Sequence, residues 1–188
     1  MQAGEITKIL GQKGSIDKKD LDYIYSLLYG EIKVAAHQQL AHFHNNNTIS
    51  ATVLAHECYL KLSQVKNLNN QDRRHLLNYL ARAMRRYLID QVRSKQRLKR
   101  KALVIEQSYS QILGSSDVSL DLFEVDRLID LLYEIDAHLA ELVQQKIIFN
   151  FTFKELSEIF GLSERQLIRQ WNQAKSLLLT MIENDIEH

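Results

Sequence analysis

The chain has no proline among its 188 residues. Average usage of about 5% would give roughly nine. Only 6 glycines are present as well, so the two residue types that interrupt helices are nearly missing. A mostly helical protein is expected. The single cysteine, Cys58, excludes an internal disulfide and a zinc site built from cysteines. No run approaches the roughly 18 to 20 consecutive apolar residues of a membrane span, so no membrane partner is expected. The opening Met1-Gln2-Ala3-Gly4-Glu5 has neither a basic start nor an apolar stretch. A secretory leader is therefore not expected, and the cytoplasm is the expected location. No phosphate loop, nucleophile elbow or carboxylate pair is recognisable. Among 7 histidines, His42 and His44 come nearest to ligand spacing but lack a third ligand. Glu57 after His56 starts a His-Glu-x-x-His pattern that Leu60 breaks. A non-enzymatic protein without cofactor or metal is expected.

What is present is segregated charge. The overall balance is +1, yet residues 71 to 101 hold 11 cations against Asp72 and Asp90, a local balance of +9. The rest of the chain holds 13 basic and 21 acidic side chains, a balance of −8. Surface pairing cannot absorb so many cations within the segment. A basic block in an otherwise acidic chain is the footprint of a polyanion.

Hydrophobic content of 45% and charged content of 25% are those of a globular protein. Leu21, Tyr25 and Leu28, then Ile32, Ala36 and Leu40, recur with helical period and predict one or two helices. His42 to Asn47 is turn-prone. Thr48 or Ser50 can cap the next helix, through Val53, Leu54, Cys58 and Leu62. Lys66 to Asp72 is a second loop, and a long helix runs from Arg73 past Arg93. Residues 102 to 122 have no Lys or Arg and contain Gly114-Ser115-Ser116, the best linker candidate. Helices through Phe123, Leu128, Leu132 and Ile135, and through Leu139, Leu142, Val143 and Ile147, follow. The expected fold is all-α, with two small helical domains, 1–101 and 123–188, joined by a flexible linker.

At 100° per residue, Leu77, Leu80, Ala81, Met84, Leu88 and Val92 fall within about 120° and form the core stripe of the long helix. Arg82, Arg86, Arg93 and Arg97 fall within about 60° on the opposite side, near Tyr79 and His75. Aligned arginines beside an aromatic suit a nucleic-acid backbone and a stacked base. Asp90 can pair with Arg86 but not with the other three.

Thr152-Phe153-Lys154-Glu155 is a capping box, and Ser163-Glu164-Arg165-Gln166 repeats its logic. Gly161 between them can take a positive φ. Two helices joined this way form a helix-turn-helix. Leu167, Trp171, Ala174 and Leu178 share its core face, while Arg165, Arg169 and Asn172 share the outer one, placed to reach a major groove. Residues 123 to 188 carry 6 basic and 12 acidic side chains, so this domain alone should bind DNA weakly.

These pieces in this order resemble a bacterial RNA polymerase sigma factor of the extracytoplasmic-function (ECF) class. The likeness runs through Thr48 to Leu62, with its Ala55-His56-Glu57, and through Leu80 to Arg93, with Met84-Arg85-Arg86. It continues through Phe153 to Ser163 and the helix to Lys175, and covers nearly everything outside the linker. Within the class, the chain is similar to a subgroup lacking the usual acidic clamp-binding motif, whose place Ser50-Ala51-Thr52 takes here.

The resemblance implies that domain 1–101 binds core polymerase and recognises and melts the minus-ten element. Thr52, His56, Glu57 and Tyr59 would contact the clamp coiled coil of the β′ subunit. Asn67, Asn69 and Asn70, with Arg82, Arg85, Arg86, Arg93 and Arg97, would hold the non-template single strand. A base flipped from that strand would sit against the loop from Asn67 to Asp72. Domain 123–188 would read the minus-thirty-five duplex through Ser163, Arg165, Gln166, Arg169, Asn172 and Lys175. The partners implied are core RNA polymerase, including its β subunit, and promoter DNA. A serine/threonine kinase acting on Thr52, or an anti-sigma factor, is a further candidate. A plain helix cap is the structural alternative for Thr52. Three departures matter: Ile168 stands where the family commonly has a basic residue, Ser157 stands where Ala is frequent (a minor change), and Ser50-Ala51-Thr52 replaces the usual acidic pair. A stand-alone helix-turn-helix regulator would account for residues 152 to 178 but not for the +9 segment.

Overall fold

The computed structural model describes residues 2–12, 16–41, 49–65, 72–98 and 122–186. Among these there are eight helices and no strand: α1 (Gln2–Gln12), α2 (Lys18–Ala41), α3 (Ala51–Ser63), α4 (Arg73–Leu98), α5 (Leu122–Ile135), α6 (Ala137–Phe149), α7 (Phe153–Phe160) and α8 (Glu164–Ile186). The protein is all-α. It divides into two compact units, Met1–Gln91 and Val92–His188. The linker expected over 102–122 lies outside the described residues except for Leu122, which is buried at the start of α5. The turn expected over His42–Asn47 lies outside them too, as do His42 and His44.

In the first unit α2 packs against α1 and α3. Its buried residues Leu21, Ile24, Tyr25, Leu28, Ile32, Ala35 and Ala36 include most of the expected periodic set, although Gln39 rather than Leu40 is buried. Ile6 and Leu10 of α1 add to this core. Burying each of these leucines and isoleucines is worth about 1.5 to 3 kcal/mol. Three polar ties fix the register. Tyr25 Oη donates to the Ala55 carbonyl at 2.5 Å, Tyr59 Oη to Asp22 at 2.5 Å, and Arg73 Nη2 to Glu31 at 2.7 Å.

In the second unit α5 packs on α6, and both contact α8. Asp136 caps α6, accepting from His138 N at 2.9 Å and Leu139 N at 3.1 Å. Asn150 ends α6 at φ 53, a left-handed turn that an asparagine tolerates. Lys146 then donates to the Phe151 carbonyl at 2.6 Å while lying over the Phe153 ring. Burial holds its ammonium below the ordinary lysine pKa, with the Glu155 charge working the other way. No helix among the described residues is long and apolar enough to cross a membrane.

Candidate nucleic-acid interface

The predicted stripe of α4 is buried: Leu77, Leu80, Ala81, Met84, Leu88 and Val92 are all core. Leu76 and Ile89 are buried as well, so the covered arc is wider than periodicity alone suggests. The opposite face carries the arginines. Arg86 and Arg93 are exposed and Arg82 is half-buried. Arg86 makes no ion pair with Asp90. Arg93 lies over the Phe123 ring at 5.7 Å. Arg97 falls in the last turn of α4, its side chain outside the described residues.

Arg85 departs from the expected surface. It is 1% exposed, because at 100° per residue it stands about 20° from Val92, on the core side of the helix. Arg73, in the first turn, is held by its ion pair with Glu31. Among the described cations, Arg73 and Arg85 are thus taken up by the fold.

Asp72 sets the start of α4. Its Oδ1 accepts from His75 N at 2.9 Å and contacts His75 Nδ1 at 2.8 Å. Burial raises the Asp72 pKa, but the His75 bonds and the Arg74 charge outweigh it and hold the carboxyl below its ordinary value. Asn67, Asn69 and Asn70 lie outside the described residues.

A groove of about 360 Å³ runs between α3 and α4, lined by Glu57, Lys61, Tyr79, Arg82, Arg86 and Tyr87 among others. Tyr79 is half-buried and its hydroxyl donates to the Lys61 carbonyl at 2.9 Å, so its edge is fixed while its ring borders the arginines. Burial raises its pKa and Arg86 lowers it in part. Aromatic rings beside guanidinium groups can stack a base and hold its phosphate.

On α3 the cap is Ser50, whose Oγ accepts from Val53 N at 3.2 Å. Thr52 is the second helical residue and not the cap, which corrects the structural alternative given to it. His56 is exposed and Glu57 half-buried. Tyr59 is half-buried and tied to α2: its hydroxyl donates to Asp22, which raises its pKa, and its ring meets Tyr25 edge-on at 5.1 Å. Val53 and Leu60 are 42% and 49% exposed, flanking His56 at helical spacing. Neither is among the site residues expected from sequence, where Val53 stands in the apolar pattern of this helix. The signal was there in the surplus of apolar positions on α3, more than one core stripe can take. Cys58 is buried, and burial with the nearby Glu57 pushes its thiol up to about 12.

Both capping boxes of the second unit form. Thr152 N donates to Glu155 Oε2 at 2.7 Å and Glu155 N to Thr152 Oγ1 at 3.2 Å. Ser163 N donates to Gln166 Oε1 at 3.0 Å and Gln166 N to Ser163 Oγ at 3.3 Å. Ser163 and Gln166, expected at DNA, thus also build the start of α8. Gly161 ends α7 at φ 67, its N–H reaching the Ser157 carbonyl. The Ser157 hydroxyl donates to the Leu162 carbonyl, so the serine found in place of alanine braces this turn. Leu167, Trp171, Ala174 and Leu178 are buried, while Arg165, Arg169 and Asn172 are exposed together on the other side of α8. Lys175 lies over the Trp171 ring at 6.0 Å.

One of the comparisons with known proteins gives a match. A family model described as ECF sigma factor matches residues 3–183. No curated protein and no solved structure gives a match. With the match running through both units, the basic helix and the helix-turn-helix included, the chain belongs to the ECF sigma factor family, non-enzymatic factors that initiate transcription by bringing RNA polymerase to promoter DNA.

Proposed function

We propose that the two ends of this sigma factor divide promoter recognition. Residues 1–101 dock on the polymerase clamp and open the minus-ten element, residues 102–122 act as a tether, and residues 123–188 read the minus-thirty-five duplex. The observation that carries this reading is the α4 face on which Arg86 and Arg93 stand exposed, opposite a buried apolar stripe. A helix anchored by one side presents its charges to a backbone without rearranging. Arg82, Arg86, Arg93 and Arg97 contact the non-template strand, and Asn67, Asn69 and Asn70 hold a flipped base. Extruding a base costs only a few kcal/mol, within reach of such a surface. Arg165, Arg169, Asn172 and Lys175 of α8 contact the upstream duplex. Each contact is weak alone, and joining them on one polymerase raises their effective concentration.

On the polymerase side, Thr52, His56 and Glu57 of α3 face the clamp, with Val53 and Leu60 as its apolar contacts. Glu57 is the only acid on α3. Phosphorylation of Thr52 adds about −1.5 to −2 charges at a helix N-terminus, where free N–H groups and the macrodipole favour an anion. The capping role of Ser50 supports this reading, since Thr52 is not required as the cap. A serine/threonine kinase then controls assembly with polymerase.

Permanganate reactivity of minus-ten thymines tests the melting role. Reactive thymines are expected with holoenzyme and are lost with Arg86→Glu plus Arg93→Glu. Full reactivity in that variant contradicts the role given to α4.

A further inference from the structure

The outer face of α8 contains one side chain that its charge and hydrogen-bonding roles do not explain. Ile168 is 42% exposed, and among the described residues it is the only large apolar side chain exposed on α7 or α8. The core of this helix is complete without it, since Leu167, Trp171, Ala174, Leu178 and Ile182 are buried. A single exposed aliphatic residue is ordinary on a surface. This one, however, stands among Arg165, Arg169 and Asn172, the exposed groups proposed above to contact duplex DNA. At 100° per residue Ile168 falls about 40° from Asn172 and about 60° from Arg165. Its neighbours one turn away, Arg165 and Asn172, are both exposed.

We propose that Ile168 reads the 5-methyl group of a thymine in the minus-thirty-five element. The inference rests on the reading of α8 as the helix that enters that duplex. In the major groove, thymine is the only base that offers an apolar group, and an aliphatic side chain is its natural complement. Ile168 has no donor or acceptor to offer any other base. Placing it against a cytosine or guanine would desolvate polar base edges without replacing their hydrogen bonds. The same side chain therefore selects thymine by attraction and rejects the polar edges by desolvation. This matters more here than in a strongly basic domain, because residues 123–188 carry 6 basic against 12 acidic side chains. With little net phosphate attraction, base contacts carry a larger share of the recognition.

The test uses holoenzyme, the full chain with core polymerase, on promoters randomised across the minus-thirty-five element. From the selected element, each thymine is replaced in turn by deoxyuridine, which lacks only the methyl group. At one position the replacement should weaken binding by the parent about fourfold, the effect of one buried methyl, and leave Ile168→Ala unaffected. At the same position Ile168→Lys should shift the selected base from thymine to guanine, whose O6 and N7 accept from an ammonium. Scrambling the element is the control for the reading beneath. If scrambling lowers binding but no deoxyuridine replacement separates parent from Ile168→Ala, the methyl contact is refuted and element reading stands. Unchanged binding to the scrambled promoter refutes both. If Ile168→Ala weakens binding equally on selected and scrambled promoters, its partner is protein and the proposal fails.

Discussion

Reversing the charge of Arg86 and Arg93 isolates the α4 surface from the rest of the promoter contacts. Both side chains are exposed, and Arg86 has no ion pair with Asp90 to lose. The fold should notice little, within about 0.5 kcal/mol, as for surface changes away from special features; the Arg93 contact with Phe123 adds at most about 1 kcal/mol. The effect on a single strand is larger and has a signature. Each neutralised phosphate contributes about −0.7 to the slope of log affinity against log salt. Removing two such contacts changes the slope by about 1.4, so the parent's advantage shrinks about sevenfold between 50 and 200 mM salt. Core polymerase makes the same phosphate contacts in both holoenzymes and cancels in the difference. Fluorescence anisotropy with a minus-ten single strand across that salt range measures it, and circular dichroism melting checks the fold. Equal slopes for parent and variant, with equal melting, would refute the placing of this strand on α4.

Three other outcomes are expected. Arg165→Ala and Arg169→Ala should each lower transcription from a promoter needing the minus-thirty-five element about tenfold, since a bidentate arginine–guanine contact is worth about 1 to 3 kcal/mol; run-off assays with that element intact and scrambled should show the loss only when it is intact. Gly161→Ala should destabilise by about 1 to 2 kcal/mol, the left-handed penalty alone, because a Cβ there meets nothing within 4 Å. Gly161→Asn should cost less in the same thermal melts, as Asn150 already holds φ 53. Cys58, buried with its thiol pushed up to about 12, should resist alkylation in the folded protein at pH 8 and react only after urea unfolding.

Features that depend on neighbouring residues in sequence were legible in advance. The stripe from Leu77 to Val92, the boxes at Thr152 and Ser163 and the turn at Gly161 are settled by local geometry, and all are present. Features that depend on partners elsewhere in the chain were not. Arg73 adds to the basic count of its segment, while its partner, Glu31, lies 42 residues away in sequence. Arg85 lies just beyond the edge of the predicted stripe, and α4 is covered over a wider arc than its own period reveals. The same blindness hid Val53 and Leu60, since apolar residues on α3 read as core until the core proves full without them. Helix α1, with its Ile6 and Leu10, gives too few periodic positions to stand out.

The central claim is that this chain directs core polymerase to start at a defined promoter. Run-off transcription with core polymerase, a promoter selected by the holoenzyme, and the chain with Thr52 unmodified or phosphorylated tests it most directly. The account predicts a single discrete transcript that requires the chain, strongest with phosphorylated Thr52 and lost when the minus-ten element is scrambled. No chain-dependent transcript from either form of the protein would contradict it.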